Sequence, residues 1–203
     1  MRVLVSKSLL GCPAFLAPAR CNRWGGTPVG STNPNLQRVR QMTAKEWYDF
    51  LKDEYFRWKY TAPNRYATTT AQLKRYVDGN GFDELDRIRK RLLTLDTADI
   101  RLGLTAACAI RGLGTAGASG LLSLMYPHSF GTVDQFIVKA LREVNGLSEA
   151  ATLERMKPEG LSITHGVVLI DILRRKAADN NRVFKSDTWS PRKLDQILWT
   201  YGR

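Results

Sequence analysis

Apolar residues recur at helical spacing in almost every segment after the first forty residues, and this period constrains the fold more than any other feature. Trp47, Phe50 and Leu51 fall on one stripe behind Thr43, a residue type that caps helix N-termini. The closing stretch SPRKLDQILWTYG begins with a capping serine and a proline, and its apolar residues then recur every three or four positions. Alternating strand patterns are scarce. The sequence therefore predicts an all-α fold, a helical bundle with short connections. Further helical patterns cover 85–92, 97–110, 132–144 and 165–178.

The charge of the chain indicates a polyanionic partner. Of 203 residues, 31 are Lys or Arg and 19 are Asp or Glu, which gives a net charge of +12. Nucleic acid is the first candidate partner and an anionic membrane surface the second. No run of eighteen apolar residues occurs, so we expect no membrane-spanning helix.

The first forty-one residues differ in composition from the rest. They contain no acidic residue, and their six basic residues account for half of the net charge. Such a segment buries too little apolar surface to offset its ordering entropy. It could be a basic arm that touches DNA, a transit peptide, or sequence upstream of a true start at Met42. We interpret residues 1–41 as a disordered extension and residues 42–203 as one domain.

The three cysteines, Cys12, Cys21 and Cys108, are widely separated and contain no CxxC pair. They cannot supply a four-cysteine zinc or iron–sulfur site, so no metal or other cofactor is predicted. A sparse, odd number of cysteines also argues against a disulfide framework, and we expect a reducing, cytoplasmic location.

The stretch RGLGT, residues 111–115, predicts a tight turn between two helices. Glycine accepts the positive φ angles that such a turn requires. A turn of this kind also directs the free N–H groups of the next helix outward, where they and the helix dipole can bind a phosphate. A purely structural turn is the alternative interpretation.

The stretch also resembles the helix-hairpin-helix of the DNA glycosylase superfamily that includes endonuclease III. That family's hairpin runs L-x-G-V-G-x-x-x-A, and this chain has IRGLGTAGA from Ile110 to Ala118. An apolar helix, a proline and the segment FGTVDQFIVKAL follow, as in the family, and Asp134 matches the family's catalytic aspartate. The separation of eighteen residues between Ala116 and Asp134 is also usual there, and Lys139 lies where the family has an arginine.

The resemblance is specific over residues 100–141. The flanking stretches FRWKYTAPNRY and PRKLDQILWTY are similar to a small bacterial branch of the superfamily, which extends the likeness over most of Met42 to Arg203. It implies a glycosylase-like fold. It also implies a function in base-excision repair, as a hydrolase that cleaves an N-glycosidic bond. It also implies that Asp134 is catalytic and that the DNA backbone is held by Arg111, Gly112, Leu113, Gly114, Thr115, Ala116 and Lys139.

Two departures from the family pattern narrow this expectation. Ala116 stands where bifunctional members carry the lysine that forms a Schiff base, so strand cleavage by a covalent imine is not expected from that position. The four cysteines of the iron–sulfur members are absent. The resemblance therefore implies a DNA-binding protein that is a monofunctional glycosylase. We also expect a monomer without a membrane partner. Alternatives are a non-catalytic DNA-binding module with the same fold and a helical adaptor.

Overall fold

The computed structural model describes residues 33–203, and every regular element in that range is helical. The predicted all-α class is confirmed. A π-helical segment, Phe50–Tyr55, joins the helices Ala44–Asp49 and Phe56–Lys59 without a break. The helices are α1 (Pro34–Gln41), α2 (Ala44–Asp49), α3 (Phe56–Lys59), α4 (Pro63–Leu93), α5 (Ile100–Cys108), α6 (Thr115–Met125), α7 (Gln135–Arg142), α8 (Ala150–Arg155), α9 (Ile163–Phe184) and α10 (Pro191–Gly202).

Helix α1 lies inside the segment that the sequence analysis assigned to a disordered extension. Asn33 caps it, with a proline at its first position, and the Asn33 amide donates to the carbonyls of Leu124 and Met125 at 2.7 Å. Val39 is buried. The folded part therefore begins before residue 41, because long-range contacts offset the ordering entropy that composition alone suggested was too large. The prediction for residues 1–32 lies outside the described residues.

Several predicted helix ends are confirmed by their caps. The Thr43 hydroxyl and the Glu46 carboxylate form a reciprocal capping box at the start of α2. Ser190 accepts a hydrogen bond from the Lys193 amide, with proline at the first helical position of α10. His165 also acts as a cap, since its ring accepts from the Ser162 amide at the start of α9.

The elements around α6 determine where the candidate site lies. Helix α6 packs against α5, and α9 crosses both so closely that a Cβ on Gly166 would come within 2.6 Å of the Thr115 methyl group and 2.8 Å of Leu104. Helix α10 packs against α7 and α9. Nearly all of α6 is buried, so its N-terminal end is the part that approaches solvent. In residues 33–203 no helix has the length and apolarity needed to cross a membrane.

Candidate nucleic-acid interface

The turn that joins α5 to α6, residues 109–114, contains one glycine that the backbone requires. Gly112 has φ +97°, a conformation that other residues rarely adopt. A Cβ at this position would also lie 2.8 Å from both the Thr69 methyl group and the Thr69 carbonyl oxygen. Gly112 therefore allows the turn to lie directly against α4, and we call residues 109–114 the glycine turn.

Gly114 does not have the positive φ that was expected of the glycines in this turn. Its φ is −89° and its ψ is −176°, which is extended backbone, and a Cβ here would meet nothing within 4 Å. It is the exposed N-cap residue of α6, and no side chain in residues 33–203 caps this helix end. Only Gly112 therefore needs the positive φ that was expected of the turn, whereas Gly114 leaves the first N–H groups of α6 without a side-chain cap.

The remaining residues predicted to hold DNA divide into exposed and buried groups. The side chains of Arg111 and Lys139 are exposed, and Ala116 is partly exposed. Leu113 and Thr115 are each only 7% exposed and pack into the core. Their side chains cannot contact DNA in this conformation, so their contribution to a phosphate site is limited to backbone groups.

The small residues of α6 make room for aromatic residues that precede α4. A Cβ on Gly117 would overlap the Tyr60 hydroxyl, and one on Gly120 would lie 2.7 Å from the Tyr55 hydroxyl. Tyr55 donates a hydrogen bond to the Gly117 carbonyl, and the Tyr60 hydroxyl lies 3.4 Å from the Gly112 carbonyl oxygen. Residues 55–60 therefore lie along α6, next to the glycine turn.

Asp134 is the N-cap of α7. Its Oδ1 atom accepts hydrogen bonds from the amides of Phe136 at 3.0 Å and Ile137 at 3.4 Å. The other carboxylate oxygen, Oδ2, lies 3.5 Å from Nζ of Lys59, and the side chain is 17% exposed. The carboxylate thus lies between the N-terminus of α7 and the ammonium group of Lys59.

Lys59 belongs to the candidate site, although the sequence did not indicate that it would. Its side chain is 11% exposed, and this burial lowers the pKa of its amino group, while the nearby carboxylates of Asp134 and Asp195 act in the opposite direction. No motif or period marked it, because it ends the short helix α3 within a run of aromatic and basic residues. Only the packing of α3 on α6 brings it to Asp134.

The Ser119 hydroxyl connects the residue before Asp134 to the beginning of α6. The Ser119 hydroxyl accepts from the Val133 amide at 3.0 Å and lies 3.1 Å from the Ala116 carbonyl oxygen, to which it donates. Ser119 is five residues after Gly114, about 7.5 Å along the helix axis. The residue before Asp134 is therefore fixed to α6 little more than one turn from its exposed end.

A buried ion pair from α10 supports the same segment from the other side. Asp195 accepts from the Thr132 amide at 2.5 Å and from Arg192 at 2.7 Å. Arg192 also donates to the Thr132 hydroxyl at 3.1 Å, and its guanidinium lies over the Trp58 ring. Burial raises the pKa of Asp195 to about 6, although the Arg192 charge lowers it in part. These contacts fix Thr132, two residues before Asp134.

An acidic groove elsewhere contains none of the predicted site residues. It is formed by α1, α2 and the π-helical segment, and its lining includes Glu46, Asp49 and Asp53. Carboxylates repel phosphate, so this groove does not suit a DNA backbone. Within residues 33–203 no group of three or more His, Cys, Asp or Glu side chains is placed to hold a metal ion.

Comparisons with known proteins add no relative. Neither a family model, nor a curated protein, nor a solved structure matches the chain. A function must therefore be inferred from the geometry of the glycine turn and Asp134.

Proposed function

We propose that this protein binds DNA through the glycine turn and the N-terminal end of α6, and that it hydrolyses an N-glycosidic bond with Asp134 as the catalytic carboxylate. One observation carries the proposal: the bond from the Val133 amide to Ser119 holds the Asp134 segment about one helical turn from the exposed N-cap Gly114. A backbone held at the turn would therefore lie close to the carboxylate.

The chemistry requires a negative charge near the sugar. When the bond between C1′ and the base breaks, positive charge develops on the deoxyribose, and a carboxylate stabilises it or removes a proton from the attacking water. Water adds to C1′, and the base leaves with its electron pair and a proton. In Asp134 the N–H groups of Phe136 and Ile137 hold one oxygen, while the other faces Lys59. Lys59 is thus a positioning residue for this carboxylate.

Asp134→Asn tests the catalytic part of the proposal. Asparagine caps helices as well as aspartate does, so the fold should persist, but the charge is lost. On a panel of duplexes with different damaged bases, wild-type protein should release a base and the variant should be at least a hundredfold slower. Equal release by both proteins would rule out Asp134 as the catalytic group.

Gly114→Asp tests the DNA-binding part. Aspartate suits an N-cap position and should not destabilise α6, yet its carboxylate would occupy the region proposed for phosphate. The dissociation constant for duplex DNA should rise at least tenfold relative to Gly114→Asn, which adds a cap of the same shape without charge. Equal affinities of the two variants would show that DNA does not approach this helix end.

A non-catalytic DNA-binding module is the second candidate, and the covered position of Asp134 favours it. The carboxylate is 17% exposed and already occupied by two amides and Lys59. Such a module would show steep salt dependence of DNA affinity and the Gly114→Asp effect, but no base release with any lesion. A helical adaptor, the remaining alternative, would show neither.

A further inference from the structure

The first half of α4 presents a stripe of residues beside the glycine turn, and arginines lie on it or next to it. Arg65, Thr69, Gln72 and Tyr76 are spaced by three or four residues and therefore lie along one side of the helix. Thr69 is the residue against which Gly112 packs. The stripe consequently passes directly alongside the turn, and from Arg65 to Tyr76 it extends for about 16 Å.

Tyr60, which precedes α4, contacts the glycine turn, since its hydroxyl lies 3.4 Å from the Gly112 carbonyl oxygen. Burial raises the pKa of this tyrosine to about 12, and the Arg65 charge lowers it in part. At the other end of the stripe, burial and the Glu84 charge raise the pKa of Tyr76, and the positive charges of Arg111 and Arg87 act against this rise. The charges of Arg65 and Arg111 thus act on tyrosines near the two ends of the stripe.

Within the described part of the chain, four arginines on or near the stripe lack ion-pair partners, whereas the carboxylates of Asp78 and Glu84 are paired with other cations. Among residues 33–203, no carboxylate lies within 4.0 Å of the side-chain nitrogens of Arg57, Arg65, Arg75 or Arg111, and all four side chains are exposed. Asp78 is paired with Lys74 at 2.6 Å, and Glu84 with Arg87 at 2.5 Å. Arg57 is held over the Tyr66 ring at 5.3 Å rather than by a carboxylate. The surface therefore keeps uncompensated positive charge.

We infer that this stripe, with Arg57, Arg65 and Arg75, is a second backbone-binding surface that follows the DNA strand beyond the glycine turn. The inference rests on the proposed DNA binding and extends it from a single helix end to α4. Phosphates of one strand advance by about 3.4 Å along the duplex axis, so 16 Å corresponds to about five of them. Contacts of this kind strengthen binding without selecting sequence.

The salt dependence of DNA affinity tests the inference in the full chain. A double variant, Arg65→Ala with Arg75→Ala, should reduce the slope of log affinity against log salt by about 0.9 for each lost phosphate contact, or about 1.8 in total. The matched control is Arg182→Ala with Lys185→Ala, which removes two exposed basic side chains at the far end of α9. Gly166, near the start of α9, contacts Thr115 beside the turn. Lys185 comes nineteen residues after Gly166, about 28 Å along the helix axis, so this end of α9 is far from the turn.

Three outcomes are distinguishable. A shallower slope in the α4 variant alone supports the inference. The same slope in wild type and both variants, while Gly114→Asp still weakens binding, overturns the inference and leaves the proposed function intact. If the α4 variant loses affinity for phosphatidylserine vesicles and keeps its affinity for DNA, the stripe faces a membrane surface and the inference is also overturned.

Discussion

At the scale of single residues, the two glycines of the turn have separate functions. Gly112 is required by its positive φ and by its contact with Thr69, whereas Gly114 has ordinary extended backbone and open space around it. The sequence predicted a tight turn from both glycines, but identical residues two positions apart could not show which one carried the constraint. That distinction depends on α4, which is distant in the chain.

The same substitution at both glycines should separate these functions. Gly112→Ser should lower the free energy of unfolding by at least about 2 kcal/mol, because a side chain is penalised at positive φ and would overlap Thr69. Gly114→Ser should leave stability unchanged or raise it by a few tenths of a kcal/mol, since serine caps helices well. Urea unfolding of the two variants measures both values, and equal destabilisation would contradict the assignment.

At the scale of elements, helix positions followed from the sequence better than helix ends did. The caps at Thr43 and Ser190 were predicted because cap chemistry is local. The pattern over 132–144 became the shorter helix α7, Gln135–Arg142, because Asp134 caps it. The pattern over 165–178 became the longer α9, Ile163–Phe184. Helix α1 was missed although Asn33 and Pro34 are local start signals, because the contacts with α4 and α6 that support it cannot be read from the sequence.

Truncation measures the contribution of α1. A chain that begins at Met42 should be less stable than one that begins at Asn33 by at least about 2 kcal/mol, because the buried Val39 is lost. Arg89 would also lose its acceptors, the carbonyls of Val39 and Arg40. Chemical unfolding of the two chains provides the comparison, with the far-UV circular dichroism checked for each. Equal unfolding midpoints would show that α1 adds nothing to the fold.

At the scale of the whole molecule, charged residues that are distant in sequence meet around the segment that leads to Asp134. Lys59 comes from α3, and Arg192 and Asp195 come from α10. Burying these charges is costly unless each finds partners, so the cluster constrains how α3, α7 and α10 pack. It also makes stability depend on pH, since burial raises the pKa of Asp195 to about 6.

The contribution of Asp195 to stability decreases as the pH rises. Asp195 binds its proton more tightly in the folded chain than in the unfolded chain, so its contribution to stability is full below about pH 4 and is lost as the pH rises through 6. The stability of wild type relative to Asp195→Asn should therefore increase as the pH falls from 7 to 4. Urea unfolding at several pH values tests this, and a pH-independent difference would show that Asp195 does not titrate in this range.

The sequence by itself determined the helical class, the main caps, the turn between α5 and α6, and a strongly positive charge. Each of these follows from local period, local residue chemistry or simple composition. Only the tertiary structure decided that Gly112 packs against α4, that Lys59 faces Asp134, and that Arg192 and Asp195 fix the segment before it. These contacts join residues between 43 and 75 positions apart in the chain, and at such separations the sequence spacing does not indicate which residues meet. They form because buried charges and close backbone contacts require partners from other elements.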